Sequence, residues 1–168
     1  RISGSHSTKR LVELGAGVGL TSLIATQNAA RVHMTDYTGL CLENMQHNIA
    51  INRDWSGCPI TSGFLEWTAY AKNGADGSHK TATTEETLML DGTFSLLDEA
   101  DILIAADVVY DIEVVPALAG CVQKFLYNNK NNNKNNNNNN AKRHRTAIFA
   151  TTFRNKSTFD LFHTRIEE

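Results

Sequence analysis

An apolar run at positions 10–14 leads directly into Gly15-Ala16-Gly17-Val18-Gly19, and helix-forming residues follow over 19–30. The pattern is that of a buried strand turning sharply into a helix, with glycines at the turn. Backbone N–H groups gather at a helix start, and glycine lets a ligand come close to them. Glu13 stands two residues before the first glycine, so the motif reads E-x-G-x-G-x-G. A dinucleotide site requires G-x-G-x-x-G, and position 20 is Leu. A phosphate loop ending in Gly-Lys-Ser/Thr is also excluded. On its own, the motif could still be a tight strand–helix turn without a ligand.

The rest of the chain repeats the alternation. Residues 31–35 alternate as a strand does, residues 40–51 have helical spacing, and a third strand is expected over 60–65. The unbroken apolar run 102–106 is expected to be a central strand buried on both faces. A helix over 112–127, a strand over 145–152 and a helix over 158–166 complete the series. Strand and helix alternating in this way predict an α/β fold with a doubly wound, mostly parallel sheet in one domain spanning 1–168. Residues 68–100 are polar and without a clear period, so a surface insertion is expected there, with a short helix or strand near 87–90. Residues 128–144 begin with an asparagine tract that offers no apolar surface to offset its ordering entropy, so a disordered loop is expected. The basic cluster at 142–145 reads better as a solvated loop end than as a nuclear address.

Asp36 ends the second expected strand, 17 residues after Gly19. In this topology a carboxylate at that point can accept both ribose hydroxyls of an adenosine compound. Its alternative is a turn-initiating Asp. Together with Glu13 and the loop, it points to S-adenosylmethionine rather than NAD.

Composition limits the partners. The 168 residues carry a net charge of −2, without the basic excess of a protein that binds a nucleic-acid backbone. No apolar run approaches the length of about 20 residues that spans a bilayer. Cys41, Cys58 and Cys121 are odd in number and far apart, as in reduced intracellular proteins, and neither they nor the six histidines have metal-ligand spacing. No metal and no membrane are expected, and the expected compartment is the cytoplasm or nucleus.

In order along the chain stand the 11–20 stretch, Thr35-Asp36, Asn44, Asn48, Asn52, Leu65-Glu66-Trp67, and Ala106-Asp107-Val108-Val109-Tyr110-Asp111. This series resembles the seven-β-strand family 16 protein methyltransferases, most of which act on protein lysines. The resemblance covers about 10–67 and 100–168. It implies a Rossmann-like class I methyltransferase fold and S-adenosylmethionine as cofactor. Glu13, Gly15, Ala16, Gly17 and Gly19 would hold the methionine part, with Asp36 on the ribose and Tyr37 beside the adenine. Glu66 and Trp67 would form the acid–Trp pair near the adenine, and Ala105 and Ala106 would line the cofactor. Asp107 and Tyr110 would face the target nitrogen of a lysine-bearing protein. Family members place a hairpin before the first strand and two more strands after the last helix, so a domain truncated at both ends is expected.

The expected chemistry is modest in its demands. Transfer from a sulfonium is an in-line displacement, governed by positioning and desolvation. A lysine amine, with a pKa near 10.4, must first lose its proton. Asp107 is therefore read as an orienting group, and its alternative role is a helix N-cap. Val108 and Val109 stand where enzymes acting on planar amide or base nitrogens carry two prolines. Transfer to such a nitrogen, in nucleic acid or a small molecule, is one competing function. A cofactor-binding module without catalysis is the other.

Overall fold

The computed structural model describes residues 7–72, 85–127 and 144–168, with backbone alone over 85–91. Five strands, β1 (Arg10–Leu14), β2 (Arg31–Asp36), β3 (Ile60–Phe64), β4 (Ile102–Ala106) and β5 (Thr146–Ala150), form one sheet in the order β3-β2-β1-β4-β5. Every pairing is parallel. The register sets Leu14 beside both Thr35 and Ala105, so the carboxyl ends of β1, β2 and β4 lie level. Strand order reverses between β1 and β4, which is where open α/β sheets bind ligands.

Helices α1 (Leu20–Ala25) and α2 (Gly39–Ile51) pack on β1, β2 and β3. Thr38 caps α2 by accepting a hydrogen bond from the Cys41 N–H at 3.3 Å. The other face carries the main core. Val12, Leu14, Leu103 and Ala105 meet Tyr70 of α3 (Trp67–Lys72), Leu97 of α4 (Glu85–Glu99) and Leu118 and Phe125 of α5 (Val115–Tyr127). Helix α6 (Lys156–Glu167), capped by Asn155, packs on α5.

Several sequence-based expectations need correction. The 68–100 stretch is not a surface insertion over its described part. Tyr70, Leu97 and Ala100 are fully buried, and the Tyr70 hydroxyl donates to Asp98 at 2.7 Å. Polar neighbours hid these anchors, because here each helix buries a narrow stripe. Strand β4 is closed on one face only: Leu103 and Ala105 are buried, whereas Ile102, Ile104 and Ala106 are partly open. Helix α1 stops at Ala25 instead of 30, giving way to tighter turns in which the Gln27 and Asn28 N–H groups donate to the Ile24 and Ala25 carbonyls at 3.2 and 3.0 Å. Helix α5 starts at Val115, with Pro116 in its first turn, where a missing N–H costs nothing. Arg145 is not a solvated loop end: its guanidinium donates to the Phe125 carbonyl at 2.7 Å and to that of Asp98. The asparagine tract at 128–143 lies outside the described residues.

His33 on β2 is buried. Its Nδ1 meets Thr61 Oγ1 at 2.9 Å, and Nε2 has no partner among the described residues. Burial, helped by the charge of Arg31, lowers its pKa from 6.5 to about 4. The folded state therefore favours neutral imidazole. This stabilisation is complete above pH 6.5, the unfolded value, and is lost as pH falls towards 4. The full difference is about 3 kcal/mol. Urea unfolding should show the midpoint falling between pH 7 and pH 5, with much of that slope absent in His33→Leu. An equal slope in both proteins would assign the acid sensitivity elsewhere.

Candidate active site

The glycine loop joins β1 to α1 through three left-handed residues, Gly15 (φ 61°), Gly17 (φ 57°) and Gly19 (φ 81°). The loop is tied to β2: the Ala16 N–H donates to the Thr35 carbonyl at 2.9 Å, and the Thr35 hydroxyl donates to the Glu13 carbonyl at 2.7 Å. The Asn48 side chain of α2 donates to the Val18 carbonyl at 2.8 Å. A Cβ at Gly15 would lie 2.8 Å from Val108 Cγ1 and 3.4 Å from Trp67 Cζ2, and one at Gly19 would lie 2.2 Å from Met34 Sδ. Around a Cβ at Gly17 there is nothing within 4 Å. Two glycines thus permit close packing, while the middle one borders open space.

That contrast gives a test. Gly19→Ala combines left-handed strain with a collision against fully buried Met34, and should lose about 3 kcal/mol of stability. Gly17→Ala should lose only about 1 kcal/mol, the backbone cost alone. Denaturant titration of both variants checks the order, and equal losses would refute it.

Glu13 is buried, and its Oε2 accepts the Ser22 N–H at 3.0 Å in the first turn of α1. Gly19, the N-cap residue, has no side chain to do this, so the Glu13 carboxyl supplies the cap from the strand. Burial raises its carboxyl pKa above 4.5, opposed by hydrogen bonds from Ser22 and Thr21. Asp36 is 8% exposed, and both its oxygens are engaged. Oδ2 accepts the Gly17 N–H at 3.0 Å, and Oδ1 accepts the N–H groups of Tyr37 (2.8 Å) and Thr38 (3.1 Å). It is therefore both a turn-former and the bracket that holds the loop over β2. A carboxylate oxygen has more than one lone pair, so Oδ2 keeps accepting capacity beside the Gly17 opening. Tyr37, next in sequence, is exposed.

Glu66 and Trp67 divide. Glu66 caps α3, accepting the Thr68 N–H at 3.0 Å and the Ala69 N–H at 2.8 Å. Burial, the largest single effect, raises its pKa, but the hydrogen bonds from Thr68 and Ala69 and nearby Lys72 together outweigh it and hold the carboxyl below 4.5. Trp67 packs on the core and against Gly15. Ala105, buried, and Ala106 end β4.

After β4, Asp107 has a left-handed backbone (φ 56°), unique to it among the described non-glycine residues. Its N–H donates to the Ala150 carbonyl at 2.7 Å, and its Oδ2 pairs with the Arg154 guanidinium, in the loop after β5. It does not cap α5. Val108 and Val109 are buried, and Tyr110 is exposed. Sequence reasoning missed the contacts made by Val108 and Arg154. The run Val108-Val109 signalled burial, but nothing local marked Arg154.

The sheet order, with a glycine loop after β1 and an acid after β4, is the Rossmann-like fold of class I methyltransferases. Within that class, residues 2–80 match the model of the family described as lysine methyltransferase, so the family resemblance drawn from the sequence is borne out over that stretch. Methyltransferase-like protein 22 of Mus musculus is 29% identical over 126 residues, covering 72% of this chain and 30% of the relative. Protein-lysine N-methyltransferase EFM3 of Chaetomium thermophilum is 24% identical over 164 residues, covering 95% of the chain and 40% of the relative. The chain thus spans less than half the length of these curated relatives. Among solved structures, a TehB-like SAM-dependent methyltransferase from Corynebacterium glutamicum superposes with a TM-score of 0.47 at 7% identity, covering 96% of this chain and 66% of its own. No helix among the described residues is long and apolar enough to cross a membrane.

Proposed function

We propose that this chain is the cofactor-binding and methyl-transferring core of a protein-lysine N-methyltransferase. The observation that carries the reading is the juxtaposition at the β1/β4 switch point. The glycine loop ends one strand, and Asp107, held in a left-handed backbone, ends its neighbour. Non-glycine residues in such conformations concentrate at functional sites.

The residues fit S-adenosylmethionine. Gly17 borders open space, and the loop around it is already held by Asp36, Thr35 and Asn48. Gly15, Ala16, Gly17 and Gly19 would hold the methionine part, and Glu13 would keep the helix start rigid beneath it. Asp36 would hold the ribose through Oδ2, with exposed Tyr37 on the adenine and Trp67 bracing the loop. Ala105 and Ala106 leave room at the end of β4. When bound, the cofactor supplies an electrophilic methyl group on a sulfonium. Asp107 and Tyr110 would orient the attacking amine, as a carboxylate and a phenol can. The lysine family match and the name of the EFM3 relative support a protein amine as acceptor.

The test is transfer of labelled methyl from S-adenosylmethionine by the full-length protein into a cell extract, with the acceptor identified by mass spectrometry. Methyl-lysine in protein is expected. Label in RNA or small molecules would overturn the lysine reading, and no label at all would favour a binding module.

A further inference from the structure

Resting on that reading, we infer that Arg154 is a positioning residue that sets the charge state of the acceptor amine through Asp107. The chemistry presents a conflict. A carboxylate beside a lysine amine helps orient it but also favours the ammonium form, which has no lone pair for attack. Arg154 resolves this by cancelling the charge of Asp107 while leaving its geometry in place. A guanidinium stays protonated throughout the working pH range, so it gives a fixed positive charge that takes no part in proton transfer.

The geometry is built by both strands. The Asp107 N–H is anchored to the Ala150 carbonyl at the end of β5, and four residues later Arg154 reaches back to Oδ2. Only one carboxylate oxygen takes part in this contact, and a carboxylate has two with which to accept. Both side chains are about half exposed (46% for Asp107, 56% for Arg154), so the pair itself adds little stability. Its position beside the candidate acceptor site gives it a different role. Among the described residues, the other charged or titratable groups on the flanking elements do not supply this cation. After β4 come the Tyr110 phenol and two acids, Asp111 and Glu113, with Asp111 accepting the Glu113 N–H at 2.9 Å. At the start of α6, Lys156 pairs with Asp160 at 2.5 Å. Glu13, on the β1 side, is buried and bonded to Ser22.

The acceptor ammonium releases its proton to solvent before transfer, and Arg154 makes that release easier. The pH–rate profile should therefore move when the charge is removed. The measurement is labelled-methyl transfer by the full-length protein to extract protein from cells lacking the enzyme, between pH 6.5 and 9.5. Cofactor affinity and melting temperature are followed in parallel. Arg154→Gln should shift the rising limb by about one pH unit to the alkaline side, a loss of about tenfold at neutral pH that recovers at high pH. Arg154→Lys should keep most of the wild-type profile, and neither change should alter cofactor affinity more than about twofold. A uniform fall with an unmoved profile would make Arg154 merely structural and overturn the inference. A rise in rate at neutral pH would overturn it in the opposite sense, making Arg154 a blocking group. Absence of transfer by the wild-type protein would instead count against the proposed function, so the two failures are distinguishable.

Discussion

Asp36→Ala is expected to lower affinity for S-adenosylmethionine at least 100-fold. In the folded chain this one carboxylate accepts hydrogen bonds from Gly17, Tyr37 and Thr38 N–H groups. Removing it leaves those donors unpaired in a site where Asp36 itself is 8% exposed, at about 1–3 kcal/mol for a donor that finds no water. The Gly17 contact matters most, because it joins the open glycine to β2. Without it the loop must be ordered by the ligand, and the ribose loses its acceptor as well. A hundredfold weakening corresponds to about 2.7 kcal/mol, within reach of these two losses together. Asp36→Asn should lie between, since its amide can present an acceptor to Tyr37 and Thr38 but a donor to Gly17, or the reverse. Isothermal titration of both variants against the wild type checks the series. Binding of Asp36→Ala within threefold of wild type would remove Asp36 from the cofactor site and leave it a turn residue.

What the sequence made legible, and what it hid, follows from the range of each interaction. The glycine loop could be read because its constraints are local: three left-handed positions within five residues leave a motif in the chain itself. The sheet could be read because β1 and β4 are short apolar runs and β2 alternates apolar and polar residues along its sequence. Helix α3 could not, and of α4 only a short helix or strand near 87–90 was expected. Tyr70 is buried by Phe94 and Leu97, and Lys124 lies over its ring at 4.1 Å, partners from elsewhere in the chain that no periodicity announces. The same holds for the candidate site. Glu66 stood where an acid was expected, but its oxygens cap α3, a job dictated by the two free N–H groups that follow it. Glu13 likewise serves a helix start first. Arg154 is 47 residues from Asp107 and meets it only because β4 and β5 pair in parallel and end together.

Asp107→Ala is expected to lower methyl transfer by about 10²–10³-fold while leaving cofactor affinity within about threefold. The range is that of an orienting or proton-handling side chain removed from a reacting centre. Cofactor binding should survive because the loop is held by Asp36, Thr35 and Asn48, none of which depends on Asp107. A second variant separates function from folding. Asp107 carries φ 56°, a conformation glycine adopts without strain. Asp107→Gly should therefore match Asp107→Ala in lost transfer yet be about 1 kcal/mol more stable than it, because Ala keeps the Cβ that strains this backbone. Loss of the half-exposed Arg154 pair is common to both and contributes little to the difference. Transfer assays with equilibrium unfolding of the two variants decide the matter. If Asp107→Gly retained near-normal transfer, the left-handed backbone would be a turn requirement and the carboxylate would have no part in the reaction. If both variants lose transfer and Gly is the more stable, the fold holds a strained acid at the end of β4 for its chemistry.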